Sequence, residues 1–247
     1  EILNYSDCLV AEPALTQSRV KYAGGIIHNH EHTGDAHKFT LALSKFLEQE
    51  GVEFLYGVSV KNLLINGDKV LGVMTSSGVQ KADVIVVSAA NDSVRLLKTA
   101  SLNIPVYPVK GYSITVPTGG YIGAPSLSVH DHERKLGFTR LGERLRVAGT
   151  AEIGARDNVT SPARIRALLN HTRKVFPNAG HLDSAEPWAG LRPMTPDGAP
   201  IISGTKYSNL FVNTGHGSLG WSLSCASGHM IANLVAGRSP DVDPLGF

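Results

Sequence analysis

The sequence is poor in cysteine and has no long run of apolar or basic residues. Its two cysteines, Cys8 and Cys225, are far apart and form no Cys-x-x-Cys pair, so neither a zinc site nor a disulfide framework is indicated. Charges, glycines or prolines interrupt every apolar stretch before it reaches the roughly 20 residues of a membrane-spanning helix. Lysine and arginine total 23 against 21 acidic residues, and this balance gives no indication of a nucleic-acid partner. These absences favour a globular protein of a reducing, cytoplasmic compartment.

The chain also lacks an initiator methionine and a signal peptide. It opens with Glu1, Ile2 and Leu3 rather than with a basic stretch followed by an apolar one. We therefore expect a processed piece, or one chain of a larger whole. Its 247 residues, 42% of them hydrophobic, are enough for one large domain or two ordinary ones.

Apolar periodicity predicts a chain that mixes helices and strands. Because Val84 to Val87 form one apolar block, 83–88 is predicted to be a central strand buried on both faces. The order of the elements predicts an α/β domain interrupted by an antiparallel β-rich insertion. The helices are expected at 35–50, 92–99, 161–176 and 221–235. The strands are expected at 52–56, 58–65, 69–75, 79–81, 83–88, 111–116, 144–151, 201–202 and 210–214.

A glycine-rich loop lies between the last predicted strand and the last predicted helix. Gly215, Gly217 and Gly220 satisfy the pattern GxGxxG. A dinucleotide-binding fingerprint also needs a following strand and an acidic residue about 20 positions on, and the chain ends too soon for that. The start of a helix still offers free N–H groups and a positive dipole end, which favour an electron-rich ligand. The alternative is a tight turn that binds nothing.

Arg192 stands among prolines and glycines in the stiff segment 188–204. Such a setting immobilises the side chain, and a fixed guanidinium can grip a carboxylate in a bidentate fork. The alternative is a surface arginine paired with Asp197 or Glu186.

Histidines are concentrated in two places. In the first, His28, His30 and His32 would share one face if the segment were a strand, so that three nitrogens could converge on a metal. His37, Glu31 and Asp35 lie close by in the sequence. The alternative is a polar loop without metal. In the second place, 130–132, charged residues follow, and a solvent-facing turn is expected.

Two runs near the C-terminus, 190–202 and 209–221, resemble the signature of the FAD-dependent D-amino-acid oxidase superfamily. Among its members, the small subunits of bacterial D-amino-acid dehydrogenases are the most similar. The resemblance spans nearly the whole chain in the family's order. The further segments that carry it are 35–39, 84–91, 108–111 and 141–152.

The resemblance implies an FAD-binding Rossmann-like domain that is incomplete at its N-terminus, with an inserted antiparallel β-rich substrate domain. The family's first strand, GxGxxG loop and helix, which bind the FAD diphosphate, have no counterpart in this sequence. We therefore expect a companion chain, or a removed portion, that carries this segment. The implied division is 1–32 as a connecting segment of the substrate domain, 33–103 and 186–247 as parts of the FAD-binding domain, and 104–185 as the substrate-binding domain.

The resemblance also implies roles for individual residues. Arg192 matches the position that binds the substrate carboxylate, and Tyr112 is expected in the pocket wall as a substrate contact. Val60 matches a valine whose backbone contacts the adenine ring. Ala89 and Ala90 match a turn near the cofactor's phosphate or ribose. The loop expected to meet the flavin ring comprises Gly215, His216, Gly217, Ser218, Leu219 and Gly220.

The function that follows from the resemblance is FAD-dependent oxidative deamination of an amino acid, either a D-amino acid or a related secondary amine. Hydride transfer to the flavin would give an imine, and water would convert the imine to a 2-oxo acid. The sequence leaves oxygen, a quinone or another protein open as the electron acceptor, and the resemblance favours a quinone or an electron-transfer partner. Peripheral attachment to the inner membrane is an alternative to a purely cytoplasmic location. The alternative function is a non-catalytic structural or flavin-binding subunit.

Overall fold

The computed structural model describes residues 1–239 and 242. The chain forms two compact units. The first comprises Glu1–Leu43 and Lys110–Gly190, and the second comprises Ser44–Val109 and the chain from Leu191 onward. The four-part division expected from the sequence stays a prediction.

Helices and short strands follow one another along the part of the chain that the structure describes. The helices are α1 Tyr5–Ala11, α2 Ala36–Gln49, α3 Asp92–Lys98, α4 Pro162–Val175 and α5 Gly220–Val235. Short 3-10 turns span Pro13–Gln17 and Leu182–Ser184. The strands are β1 Ile2–Asn4, β2 Gly24–Ile26, β3 Val60–Asn66, β4 Lys69–Thr75, β5 Gly78–Lys81, β6 Ile85–Val87, β7 Tyr107–Pro117, β8 Val129–Asp131, β9 Leu136–Leu141, β10 Arg144–Ile153, β11 Glu186–Met194, β12 Ile201–Gly204 and β13 Leu210–Thr214.

The core of the first unit lies between a five-stranded sheet and helix α4. The strand order is β11-β7-β10-β9-β8, and β8, β9 and β10 form an antiparallel meander. Alternate side chains of each strand point to one face, so the apolar alternation of β7 and β10 builds that face of the core. The predicted antiparallel region is therefore confirmed. The buried residues of this core include Tyr112, Ile114, Val116, Phe138, Leu145, Val147, Leu168, Val175 and Phe176.

The second unit has two small sheets around a separate core. One is the antiparallel meander β3-β4-β5, and the other has the order β12-β13-β6. In the latter, β12 runs antiparallel and β6 parallel to β13. Helix α3 follows β6, and α5 follows β13. The core that the two sheets share with α3 includes Leu63, Val70, Val87, Leu96, Leu97, Ile201, Leu210 and Val212.

The four predicted helices are confirmed to within one residue at each end. Helix α4 begins where the sequence places it, with Ser161 at the N-cap and Pro162 in the first turn. Helix α2 ends before Gly51, which has a φ of 89°. None of the helices in the described part is both long and apolar enough to cross a membrane.

Two strand predictions are wrong. The segment 52–56 forms no strand. Its β-prone residues are mostly exposed, and the rings of Phe54 and Tyr56 stack with centroids 5.7 Å apart instead of packing in a sheet. The predicted central strand 83–88 is reduced to Ile85–Val87, and within the described residues it pairs only with β13. Val84 and Val86 are 40% and 41% exposed, so burial on both faces is not found.

The histidine-rich stretch 28–35 is also not a strand, because β2 ends at Ile26. His28 is instead exposed beside a turn, where its Nδ1 lies 3.8 Å from Oε1 of Glu31. Among the residues described, no three His, Cys, Asp or Glu side chains come together in a metal-binding group. In the second histidine segment, Asp131 is buried rather than solvent-facing, with 4% of its surface exposed.

Candidate functional site

The second unit has an edge at which the ends of two parallel strands meet. Strands β6 and β13 pair in parallel, with Ile85 opposite Leu210 and Val87 opposite Val212. The turn 88–91 and the loop 215–219 therefore leave the sheet at the same edge. In open α/β sheets, ligands bind outside the carboxyl ends of parallel strands.

Hydrogen bonds join the turn after β6 to the end of β13. Thr214 Oγ1 donates to the carbonyl of Ala90 at 3.1 Å, and Ser93 Oγ donates to Thr214 Oγ1 at 3.2 Å. The amide of Ala89 donates to Ser93 Oγ at 3.0 Å. Ala90 has a φ of 50°, a left-handed conformation that costs an alanine about 1 kcal/mol. These bonds hold the exposed Ala89-Ala90 turn in place at the edge.

The loop after β13 is packed against the segment that follows Arg192. The amide of Gly217 donates to the carbonyl of Pro193 at 2.9 Å, and His216 forms an isolated antiparallel bridge with Met194. Gly217 has a φ of 55°, and an added Cβ would lie 2.7 Å from the sulfur of Met194. Only glycine meets both conditions without strain.

His216 is a partly buried side chain of this loop. Its Nε2 is buried and has no hydrogen-bond partner within the described residues. Burial lowers the pKa of His216, so the surroundings of this side chain oppose a positive charge on it.

Helix α5 begins directly after the loop, at Gly220. Its N-cap residue Leu219 provides no side-chain hydrogen bond to the first turn. The first amides of a helix have no intrahelical acceptor, and the aligned peptide dipoles give this end a partial positive charge. Ser218 and Leu219 are exposed. This donor set fits an electron-rich ring edge such as the pyrimidine end of a flavin.

Arg192 lies at the same edge of the second unit. The carbonyl of the preceding residue, Leu191, accepts from Asn91 Nδ2 at 3.1 Å, and this bond ties the arginine's backbone to the start of α3. The guanidinium is half-buried and makes no hydrogen bond or ion pair with the described residues of its own unit. Asp197, the proposed alternative partner, accepts instead from the amide of Ala199 at 3.1 Å. The planar donors of Arg192 are thus available for an external carboxylate.

Val60 is at the start of β3, and its carbonyl already has a partner. Arg95 Nη2 donates to the carbonyl of Val60 at 3.0 Å, and Nη1 donates to that of Lys61 at 3.3 Å. Arg95 belongs to α3, which begins directly after the Ala89-Ala90 turn. The arginine therefore links the start of β3 to the helix behind that turn, and the adenine contact of Val60 stays a prediction.

Tyr112 belongs to the first unit, where a charged network surrounds it. Its hydroxyl donates to Glu152 Oε2 at 2.6 Å, and Arg164 Nε lies 3.1 Å from the same carboxylate oxygen. The bond to Glu152, together with burial, raises the pKa of Tyr112. Nearby, the buried Lys110 donates to Asp157 at 2.8 Å. The hydroxyl thus has an internal acceptor, and a contact between Tyr112 and substrate stays a prediction.

Sequence reasoning missed the three polar residues that tie this edge together, Asn91, Ser93 and Thr214. Ser93 and Thr214 are buried, with 0% and 2% of their surface exposed. The sequence offers one signal for these residues, which is the position of each within its strand or helix. Ser93 lies in the first turn of a helix, where a polar side chain can bond nearby backbone, as it does with the amide of Ala89, and Thr214 is a polar residue at the end of an apolar strand.

We expect Gly217→Ala to lower the stability of the second unit by about 1–2 kcal/mol and to weaken flavin binding in the full-length protein. The left-handed backbone and the sulfur of Met194 both oppose the added methyl group. Urea unfolding and flavin fluorescence titration measure the two effects. The control is Gly228→Ala in α5, where an added Cβ meets nothing within 4 Å and should stabilise the helix. Equal behaviour of the two variants would contradict the role given to the loop.

Comparisons with known proteins show the family to which the chain belongs. A family model described as DAO, FAD dependent oxidoreductase, matches residues 1–234. Two curated relatives, from Paramagnetospirillum magneticum and Bradyrhizobium diazoefficiens, are both called D-amino acid dehydrogenase. Each is 46% identical over 244 residues, which is 98% of this chain and 58% of the relative. The chain therefore spans less than two thirds of the length of these relatives.

Solved structures show the same fold. Glycine oxidase from Geobacillus kaustophilus matches with a TM-score of 0.87 at 24% identity, over 98% of this chain and 64% of that one. L-proline dehydrogenase from P. horikoshii matches with a TM-score of 0.83 at 19% identity, over 97% and 65% of the two chains. These similarities confirm the predicted mixed α/β fold class.

Proposed function

The chain belongs to the DAO family of FAD-dependent oxidoreductases, and on that basis we propose that its protein oxidises the C–N bond of an amino acid. The first product is an imine, and its hydrolysis gives a 2-oxo acid and ammonia or an amine. One observation carries the proposal. The segment that carries Arg192, a glycine loop and the start of a long helix come together at the carboxyl edge of two parallel strands.

Arg192 binds the substrate carboxylate in this proposal. A bidentate grip fixes both the position and the rotation of the carboxylate, and so it directs the Cα–H bond. Orientation contributes most to the rate, because an uncharged amine needs no further acid or base to release hydride. When bound, FAD supplies the two-electron acceptor.

The residues of the edge hold the cofactor in the same proposal. The loop Gly215 to Gly220 and the first turn of α5 would hold the ring system, and their N–H groups would favour negative charge on it. The Ala89-Ala90 turn would hold the phosphate or ribose region, and Val60 would hold the adenine. In the first unit, Tyr112 would be a substrate contact.

Two features of the whole protein are also proposals. We infer that a further segment, in the same or a companion chain, adds a strand beside β6, because β6 pairs on one side only in the described part and Val84 and Val86 are 40% and 41% exposed. The substrate is a D-amino acid, which the names of the two curated relatives support. Those relatives are called dehydrogenases, which favours a quinone or an electron-transfer partner as acceptor, at the membrane surface or in the cytoplasm.

The test is purification of the protein from its own host, with an absorption spectrum and an intact mass. We expect a flavin spectrum and a polypeptide, joined or separate, beyond the 247 residues. The chain is then titrated with FAD alone and together with the part of the Paramagnetospirillum magneticum relative that it does not match. Tight flavin binding only in the second case, with turnover of D-amino acids, supports the proposal. A colourless protein that takes up no FAD in either case refutes it and favours a structural subunit.

A further inference from the structure

A cavity in the first unit has no part in the proposed function. Its volume is about 370 Å³, at the small end of the range for ligand sites, about 300–1,000 Å³. It lies where α4 ends, beside the 3-10 turn Leu182–Ser184. The polar side chains that line it are those of Arg19, Tyr121, Arg173, His181, Asp183 and Ser184.

The walls of this cavity are fixed by backbone contacts. The amide of Arg19 donates to the carbonyl of Lys174 at 2.7 Å, and the amide of His181 donates to that of Pro117 at 3.0 Å. Gly180 lies so close to β7 that an added Cβ would be 2.1 Å from the carbonyl oxygen of Pro117. The side chains of Arg19 and His181 therefore project from backbone positions that hydrogen bonds hold in place.

The charge of the lining is positive. Arg19 makes no side-chain hydrogen bond or ion pair with the described residues of its unit. Arg173 pairs with Asp183 at 2.6 Å, but the Asp183 side chain is 96% exposed and the Arg173 side chain 42% exposed. Such exposed pairs are weak, so a bound anion can compete with Asp183 for the guanidinium.

The imidazole of His181 adds a neutral hydrogen-bond donor to the two guanidinium groups of the cavity. The hydroxyl of Tyr121 lies 3.4 Å from Nδ1 of His181, and the two rings meet edge to face at 4.8 Å. When the hydroxyl donates to Nδ1, the proton of the imidazole is on Nε2, which is then a donor. Two guanidinium groups and an imidazole N–H are donors suited to oxyanions.

We propose that this cavity binds a small, multiply charged oxyanion through Arg19, Arg173 and His181. The chemistry is shared by a phosphate and by a short dicarboxylate. The cavity shares no lining residue with Arg192 or the glycine loop, and the proposal does not rest on the proposed amino-acid oxidation.

Calorimetric titration tests the proposal. The full-length, flavin-loaded protein is titrated with inorganic phosphate and with succinate in low-salt buffer. We expect one equivalent of at least one anion to bind, and the tighter of the two distinguishes a phosphate site from a carboxylate site. Arg19→Ala should raise the dissociation constant at least about tenfold. Asp183→Ala should lower it, because it removes the competing carboxylate from Arg173.

The matched control is Arg156→Ala, which removes an exposed arginine outside the cavity and should leave binding unchanged. The flavin spectrum should be the same in all variants and should not respond to either anion. Failure of both anions to bind the wild-type protein, or equal binding by wild type, Arg19→Ala and Arg173→Ala, would overturn the proposal. Neither result would affect the assignment of Arg192.

Discussion

Replacing Arg192 with alanine is expected to lower kcat/KM for an amino-acid substrate by about 10²- to 10³-fold. The guanidinium makes no hydrogen bond or ion pair with the described residues of its own unit, and its backbone is held through Leu191 and Asn91. Its loss removes both the attraction for the carboxylate and the orientation of the Cα–H bond. Steady-state kinetics in the full-length protein, with an artificial electron acceptor, measure the effect.

Two further variants separate the role of charge from that of geometry. Arg192→Lys keeps the charge but loses the planar fork, so it should recover only part of the activity. Arg156→Ala, an exposed arginine of the first unit, should leave kcat/KM unchanged. Flavin affinity should be nearly equal in all three, because Arg192 is assigned to the substrate and not to the cofactor. Full activity of Arg192→Ala would refute the assignment.

The helices and the meander β3-β4-β5 could be predicted from the sequence because their signals are local. Periodic apolar residues mark α2 and α4, and Asn66-Gly67 and Ser77-Gly78 mark the turns. The stretch 52–56 has the same composition as a strand, but no neighbouring strand pairs with it in the described part. Composition reports the fit of a side chain to a sheet and not the presence of a partner strand.

The candidate site was predictable only in part. The glycines of the loop and Arg192 can be recognised from the sequence alone. Closely spaced glycines indicate a loop with an unusual backbone, and an arginine between prolines and glycines indicates an immobilised cation. The hydrogen bonds that bring these residues together cannot be read from the sequence. Thr214 and Ala90 are 124 positions apart in the chain, and residues such as Ala90 and Asn91 are common in turns. The parallel pairing of β6 with β13, separated by more than a hundred residues, is a tertiary fact that no local pattern encodes.

In the first unit, the burial of Asp131 is another feature that the local sequence does not predict. In the sequence it lies between two histidines and before charged residues, which indicates a solvated turn. In the fold Asp131 is the last residue of β8 and its side chain is buried. Nε2 of His171 in α4 lies 2.8 Å from Oδ2 of Asp131, and the hydroxyl of Tyr22 donates to the same oxygen at 3.4 Å. The amide of Arg134 donates to its other oxygen at 3.0 Å. The carboxylate thus joins three separate segments of the chain.

We expect Asp131→Ala to lower the free energy of unfolding by about 3–5 kcal/mol, because it leaves buried donors without an acceptor. Asp131→Asn, which keeps the volume and one acceptor oxygen, should cost less. The control is Asp183→Ala, which breaks an exposed ion pair and should change the stability little. Urea unfolding at pH 7 compares the three, and equal stability of Asp131→Ala and wild type would contradict the role given to the buried carboxylate.

The pH dependence of this difference provides a second test. Burial raises the pKa of Asp131, but the amide of Arg134 and the contact with His171 more than offset it, so the pKa lies below its ordinary value. A lowered pKa stabilises the fold at pH values above the unfolded pKa of about 3.9, and this contribution is lost as the pH falls through the folded pKa. The stability gap between wild type and Asp131→Asn should therefore be constant near neutrality and should narrow below about pH 4. A gap that stays unchanged at acid pH would show that packing, and not the charge, accounts for the effect.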